Sequence, residues 1–317
     1  MYKISKMKNE EIPELIEMWH NQYSRYCNSE VVPDFLSGGK NSMMLYLENQ
    51  IKQENAIISK KDDVIVGYFA WMYFDFHNEK SAFCPIIGYA TIEEDGQTIY
   101  HTLYNYAAQQ WVDDDRFNHL CMIFNDDYPL KDMLYDIGFG SHVIDAYLKV
   151  QKPVCQTNSK YKISRATSSD AEILLELAKE SIYYYLNSPI FLRRSDFELD
   201  DVIDIIKTDY LFVAWDNDIP IGFMNLSVQS GYNVENLASA NTGLISKVGA
   251  YIKPEYRGRG IGKCLLNEVI NNCTEQNISY LHVCYETANP FAKIFWPKQF
   301  KPIILSVRRT INKDINR

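Results

Sequence analysis

Apolar residues recur at Ile12, Leu15, Ile16 and Trp19, the three-and-four spacing of one helical face. Asn9 stands where an N-cap belongs, and acids fill the first turn. Residues 30–42, with Pro33, Gly38 and Gly39, read as loop, and Met43 to Gln53 as a second helix. The period then shortens. Ala56–Ser59 and Val64–Trp71 read as paired strands across the charged turn Lys60–Asp63. A further strand is expected near Ile86–Ala90 and a helix near Thr102–Trp111.

The second half repeats this order. Tyr161–Ser164 has the same sequence as Tyr2–Ser5, and Ser168 or Ser169 caps an amphipathic helix from Ala171 to Ala178. Leu211–Trp215, a turn at Asp216–Asp218 and Ile219–Met224 repeat strand, turn and strand, with Gly222 matching Gly67. Pro290–Phe300 corresponds to Pro129–Phe139. The offsets are 159, 155 and 161 residues. Three blocks in one order at nearly constant offset mean an internal duplication, at the scale of a domain rather than a solenoid unit. The expected division is a domain at 1–150, a polar, proline-bearing linker at 151–160, and a domain at 161–317.

A length of 317 residues fits two domains, and 46% hydrophobic residues can fill two cores. Tyr (23) and Phe (15) are abundant, as core or as pocket lining. A net charge of −9 argues against a nucleic-acid partner, whose affinity comes from clustered Lys and Arg, and is compatible with a cationic substrate. No apolar run reaches membrane-spanning length, and residues 1–11 carry no signal-type apolar region. The seven cysteines are odd in number and scattered, which reads as reduced thiols in a cytoplasmic protein. His282-Val283-Cys284 lacks a second cluster to complete a metal site, so no metal is expected.

The most specific stretch is Val248 to Leu266. A short apolar run ends at Pro254, three glycines follow at 258, 260 and 262, and Ile261, Leu265 and Val269 then mark one helical face. Such a turn points free backbone N–H groups at one spot, at the positive end of a helix dipole, where phosphate or pyrophosphate binds. It matches neither the nucleoside-triphosphate loop, for lack of Gly-Lys-Ser/Thr, nor the dinucleotide fingerprint, which would need glycine at Lys263.

Arg257-Gly258-Arg259-Gly260-Ile261-Gly262 instead resembles the [RQ]-x-x-G-x-[GA] signature of the GNAT acetyltransferase superfamily, which holds the pyrophosphate of coenzyme A. The resemblance implies an α/β (α+β) fold of two tandem GNAT-like domains, each a mixed, mostly antiparallel central sheet flanked by helices. It covers nearly the whole chain, specifically in the second half and loosely in the first. In the first half the equivalent loop is Thr91–Thr98, with one glycine and three acids. Like charge would repel a pyrophosphate there, so that half is expected to be degenerate and structural.

The family implies acetyl-coenzyme A as cofactor and a primary amine of a small molecule as acceptor, by direct transfer in a ternary complex. It implies cofactor contacts from Gly249, Ala250, Tyr251 and Ile252, with a backbone N–H near Tyr251 or Ile252 facing the thioester oxygen, and from Arg257 to Lys263. Asn289-Pro290-Phe291-Ala292 fits the family pattern N-x-x-A-x-x-x-Y, making Asn289 and Ala292 cofactor contacts. The pattern's tyrosine, which protonates the thiolate, is replaced by Trp296, whose indole is no acid. The first half keeps Tyr135 there, expected to serve packing. Glu286, His282 and Tyr285 are the candidates for base and acid, since an alkyl amine is almost wholly protonated at neutral pH. Arg193 and Arg194 are candidates to meet a substrate carboxylate. A monomer or homodimer without membrane or nucleic-acid partners is expected. The alternatives are a non-catalytic coenzyme-A or acyl-coenzyme-A sensor or scaffold, motivated by Trp296, and an acyltransferase with another donor or acceptor.

Overall fold

The computed structural model describes residues 2–28, 30–151 and 160–315, so most of the expected linker lies outside the described residues. The chain forms two compact units, Met1–Ala146 with Tyr232–Ser239 and Lys301–Arg317, and Tyr147–Gly231 with Ala240–Phe300. Division by compact unit therefore differs from division by sequence repeat. Among the described residues no helix is long and apolar enough to cross a membrane.

The first unit begins with β1 (Lys3–Lys6), α1 (Ile12–Tyr26), α2 (Leu36–Lys52), β2 (Ala56–Lys61), β3 (Val64–Ala70), β4 (Met72–Phe76) and β5 (Glu79–Cys84). It continues with β6 (Tyr89–Thr91), α3 (Gly96–Asp113), β7 (Asn118–Phe124), α4 (Tyr128–Asp136) and most of β8 (Gly140–Lys149). The expected turn at 60–63 narrows to Asp62 and Asp63, both at positive φ, a conformation acids tolerate in tight hairpins. Residues 36–42, read as loop, belong to α2. Their glycines serve close approach. A Cβ on Gly38 would lie 2.0 Å from the Tyr232 ring, and one on Gly39 2.5 Å from Phe35.

The second unit contains β9 (Lys162–Arg165), α5 (Ala171–Leu186), α6 (Leu199–Thr208), β10 (Tyr210–Asp216), β11 (Ile219–Val228), β12 (Gly243–Ile245) and β13 (Ala250–Ile252). After β13 come α7 (Ile261–Glu275), β14 (Tyr280–Glu286) and α8 (Pro290–Phe295). Its last strand, β15 (Lys301–Thr310), belongs to the first unit, where it pairs antiparallel with β7 from Ile304↔Phe124 to Thr310↔Asn118. The end of β8 belongs to the second unit, where the Val150 N–H donates to the Ser279 carbonyl at 2.8 Å.

Each unit repeats one sheet plan in register. Gly67 pairs with Thr91 and Phe69 with Tyr89, while Gly222 pairs with Ile252 and Met224 with Ala250. A bulge falls at Ser59/Lys60 in one unit and at Ala214/Trp215 in the other, the 155-residue offset of Gly67 and Gly222. The matched glycines share one cause. A Cβ on Gly67 would meet the Ala90 carbonyl at 3.0 Å, and one on Gly222 the Tyr251 carbonyl at 2.8 Å. β5 runs parallel to β7, and β12 parallel to β14. In both units the chain then breaks for four residues, and the next strand pairs on one side only, β6 with β3 and β13 with β11. A gap opens on the abandoned side, facing β7 in one unit and β14 in the other.

The core of the second unit lies between α5, α6 and the sheet. Leu174, Leu177, Ala178, Val202, Ile205, Val213 and Phe223 are all buried there. That packing fixes one wall of the gap, because the same sheet carries β13.

Candidate active site

In the second unit the gap is a cleft of about 1120 Å³, lined by β13, the loop after it, the starts of α7 and α8, the end of β14 and residues 194–197. Its floor is backbone. The Asn225 N–H donates to the Gly249 carbonyl, and the Lys253 N–H to the Ile221 carbonyl. Alternation along an antiparallel strand therefore turns Gly249, Tyr251 and Lys253 toward β11, and the main-chain groups of Ala250 and Ile252 toward the cleft. Of the two positions expected to face a thioester, Ile252 has the right orientation and Tyr251 has not. The Tyr251 side chain is buried against Phe223 and Tyr184, and burial pushes its phenol up to about 12.

The loop after β13 is built by positive φ. Gly258 (+75°), Gly260 (+80°) and Gly249 (+71°) occupy the left-handed region, and a Cβ on any of them would meet nothing within 4 Å. Conformation, not crowding, selects glycine at these three positions. Gly262 is different, since a Cβ there would press on Phe295 at 3.1 Å and Ile252 at 3.3 Å. Gly260 is the N-cap of α7. The N–H groups of Gly258, Arg259, Gly260, Ile261 and Gly262 have no partner among the described residues, while that of Lys263 already returns to the Gly260 carbonyl at 3.1 Å. Five consecutive free donors at the start of a fifteen-residue helix make a cradle for an anion.

The basic side chains of this loop are largely employed elsewhere. Arg257 donates from Nε to the Ile252 carbonyl at 3.0 Å, and its guanidinium lies 4.4 Å from the ring centres of both Tyr184 and Phe291. Arg259 donates to the Tyr161 hydroxyl at 3.0 Å and the Glu255 carbonyl at 2.8 Å, and does not line the cleft. Lys263 is exposed at its edge, joined there by Lys298. Anion binding here falls mainly to main-chain groups.

Asn289 caps α8. Its Oδ1 accepts from the Ala292 N–H at 3.3 Å and the Tyr184 hydroxyl at 3.1 Å, and both Asn289 and Ala292 line the cleft. Trp296 packs edge-on against Phe295 and Phe300 and is mostly buried, and it lines the cleft. Tyr135, expected to serve packing in the first unit, is instead half exposed, with its hydroxyl bonded to Ser141.

The three acid–base candidates separate. His282 (4% exposed) has its ring 5.1 Å from that of Tyr147 and does not line the cleft. Tyr285 (3% exposed) does line it, with a buried hydroxyl lacking any hydrogen-bond partner. Burial pushes that phenol up to about 12, so it holds its proton at neutral pH. Glu286 is the last residue of β14 and sits one layer behind the lining. Its side chain is 13% exposed, Oε1 accepts from Arg194 Nη2 at 2.7 Å, and Oε2 is buried with no well-formed hydrogen bond among the described residues, the Tyr185 hydroxyl lying beside the carboxylate. The guanidinium of Arg194 lies 3.8 Å from the Tyr185 ring centre and faces the cleft. Arg193 pairs with Asp196 at 3.1 Å in solvent and stays outside.

Sequence reasoning missed Tyr184 and Tyr185, which clamp Arg257 and Arg194. Their only signal was the run Tyr183-Tyr184-Tyr185, which no spacing rule ties to a site. Cys284, exposed on β14, also lines the cleft and is not among the expected site residues.

Residues 207–299 match the family model of the acetyltransferase (GNAT) domain. No curated protein matches the sequence. Among solved structures, the chain is similar to a GCN5-related N-acetyltransferase from Sphaerobacter thermophilus at 13% identity and a TM-score of 0.62, over 98% of this chain and 96% of that one. It is also similar to the GCN5-related glucosamine N-acetyltransferase region of a fungal multi-domain GH3 β-N-acetylglucosaminidase, at 12% identity and a TM-score of 0.53. That match covers 97% of this chain and 38% of the fungal one. At such identities the likeness is one of fold.

Proposed function

We infer, for a chain that belongs to the GNAT superfamily through the acetyltransferase domain of its second half, that it carries an acetyl group from acetyl-coenzyme A to a primary amine of a small molecule. The observation that carries this reading is the row of free N–H groups from Gly258 to Gly262, at the end of a cleft that parts β13 from β14. The number of donors, at the N-terminus of α7, suits a pyrophosphate. The upward-facing backbone of Ala250 and Ile252 suits an extended amide-bearing arm. Acetyl-coenzyme A, when bound, supplies the activated acyl group.

The protein's own residues supply the rest. Gly258 to Gly262 hold phosphate, with Lys263 and Lys298 adding charge at the rim. The Ile252 N–H is the preorganised donor available at the middle of the cleft, and loss of such a donor raises a barrier by roughly 3–4 kcal/mol. Glu286, once released by Arg194, is the group able to take the amine proton. Tyr285, protonated and unpartnered, is the group able to give one. Trp296 lines the cleft but its indole is no acid, so Tyr285 stands in for the missing tyrosine.

Calorimetric titration with acetyl-coenzyme A, followed by a thiol-release assay over a panel of primary amines, tests this reading. Micromolar binding and turnover on at least one amine are expected. Binding without turnover on any acceptor would favour a sensor, a reading to which the covered state of Glu286 lends weight.

A further inference from the structure

Arg194 and Glu286 form an ion pair that each partner uses only in part. One guanidinium N–H is spent on Oε1, while the side chain has five to give. Oε2 is buried and makes no well-formed hydrogen bond among the described residues, the Tyr185 hydroxyl being the donor that lies beside the carboxylate, so the pair is incompletely satisfied. The Tyr185 ring, 3.8 Å from the guanidinium, restrains it where Arg194 lines the cleft, so its unused N–H groups are available to a ligand there. Among the charged groups nearby, Arg193 pairs with Asp196 and Lys247 with Asp209, while Asp204 lines the cleft with no ion pair among the described residues.

We propose that Arg194 and Glu286 together recognise an acceptor that bears its amine beside a carboxylate, an α-amino acid or a compound of that shape. The proposal rests on the acyl-transfer reading of the cleft. A simple amine brings positive charge toward Arg194 and is repelled by it. A simple carboxylate meets the same opposition from Glu286. A zwitterion satisfies both. Its carboxylate accepts from the unused guanidinium edge and draws Arg194 off Oε1. That movement uncovers Glu286, whose oxygens then accept from the ammonium. Arg194 is thus the specificity residue, and it withholds the base until the correct acceptor arrives.

The test is calorimetric binding of the twenty common L-amino acids and of their decarboxylated amines to the full chain, and to the variants R194A, R194K and E286Q. At least one amino acid should bind, with its decarboxylated partner at least about tenfold weaker. R194A should weaken the amino acid about tenfold or more and leave the amine unchanged or tighter, because a competing cation is gone. R194K keeps the charge without the planar fork and should fall between; it decides the matter if R194A does not fold. E286Q should weaken both ligands. Absence of binding across the amino acids, equal affinity for the amines, or an unaffected R194A would overturn the proposal. Coenzyme A titrated into the same preparations reports on the cofactor reading separately, so either can fail alone.

Discussion

Beside β6 in the first unit, the gap is packed with rings. Tyr89 (1% exposed) projects into it, edge-on to Tyr100 at 5.0 Å, with its hydroxyl near the Phe124 backbone on β7. Phe124 is itself stacked on Tyr26 at 4.9 Å. Beside β13 in the second unit, the residue in Tyr89's register position is Ala250, exposed to the cleft. The loops differ in the same sense. Between β6 and α3 lie four residues, Ile92-Glu93-Glu94-Asp95, and Asp95 caps the helix at φ +58°. Between β13 and α7 lie eight, and Gly260 holds the matching position at +80°. One backbone plan thus gives a ring-filled core in one unit and an open cleft in the other. The side chain at the Tyr89 and Ala250 position and the length and charge of one turn are among the differences between them.

The sharpest way to break the comparison is Gly260→Glu, which puts into the second cradle the kind of charge the first one carries. Acetyl-coenzyme A binding should become undetectable by calorimetry, while left-handed strain lowers stability by only about 1–2 kcal/mol. Retained affinity would remove the cradle assignment. Next, Tyr89→Ala should open a cavity where the first unit is plugged, costing about 3–5 kcal/mol in denaturant unfolding. A cost under about 1 kcal/mol would mean that the ring is not core.

The closed unit also has a pH signature. His119 is buried between Tyr104 and the Arg116 carbonyl, and burial lowers its pKa from 6.5 to about 4. The unfolded chain takes up the proton first, so stability should fall as pH drops from about 6.5 to 4, by up to roughly 3 kcal/mol. Unfolding at pH 7 and pH 4.5, with His119→Gln as control, checks it; equal pH dependence in the variant would reject this source. The mildest change is Ala250→Tyr, which copies the plug into the open cleft. It should weaken acetyl-coenzyme A about tenfold, or about 1.4 kcal/mol, without loss of fold.

Much of this was legible before any coordinates. Gly67 and Gly222 announced the duplication because close strand approach leaves no room for a Cβ, and such a constraint survives as a letter. The loop at 257–263 was legible because left-handed backbone favours glycine. The orientation of Ile252 over Tyr251 was not, since it depends on pairing parity with β11, which a three-residue strand does not reveal. Nor was the separation of Glu286 from the lining, which is set by Arg194 reaching across 92 positions of sequence. Gly38 and Gly39 misled, because glycines that admit a neighbouring ring read the same as glycines that make a turn.

The membership of β15 in the first unit bears on how the chain is made. β7 is complete as a polypeptide by residue 124, yet its pairing strand, 301–310, is synthesised only after the whole of the second repeat's core. Throughout translation of the second repeat, β7 waits with an unpaired row of N–H and C=O groups, the condition in which strands recruit one another between chains. The first unit, though begun first, therefore closes its sheet only after the second unit's strands and helices have been made. A chain cut after residue 150 carries every helix of its repeat and still lacks the strand that closes its sheet.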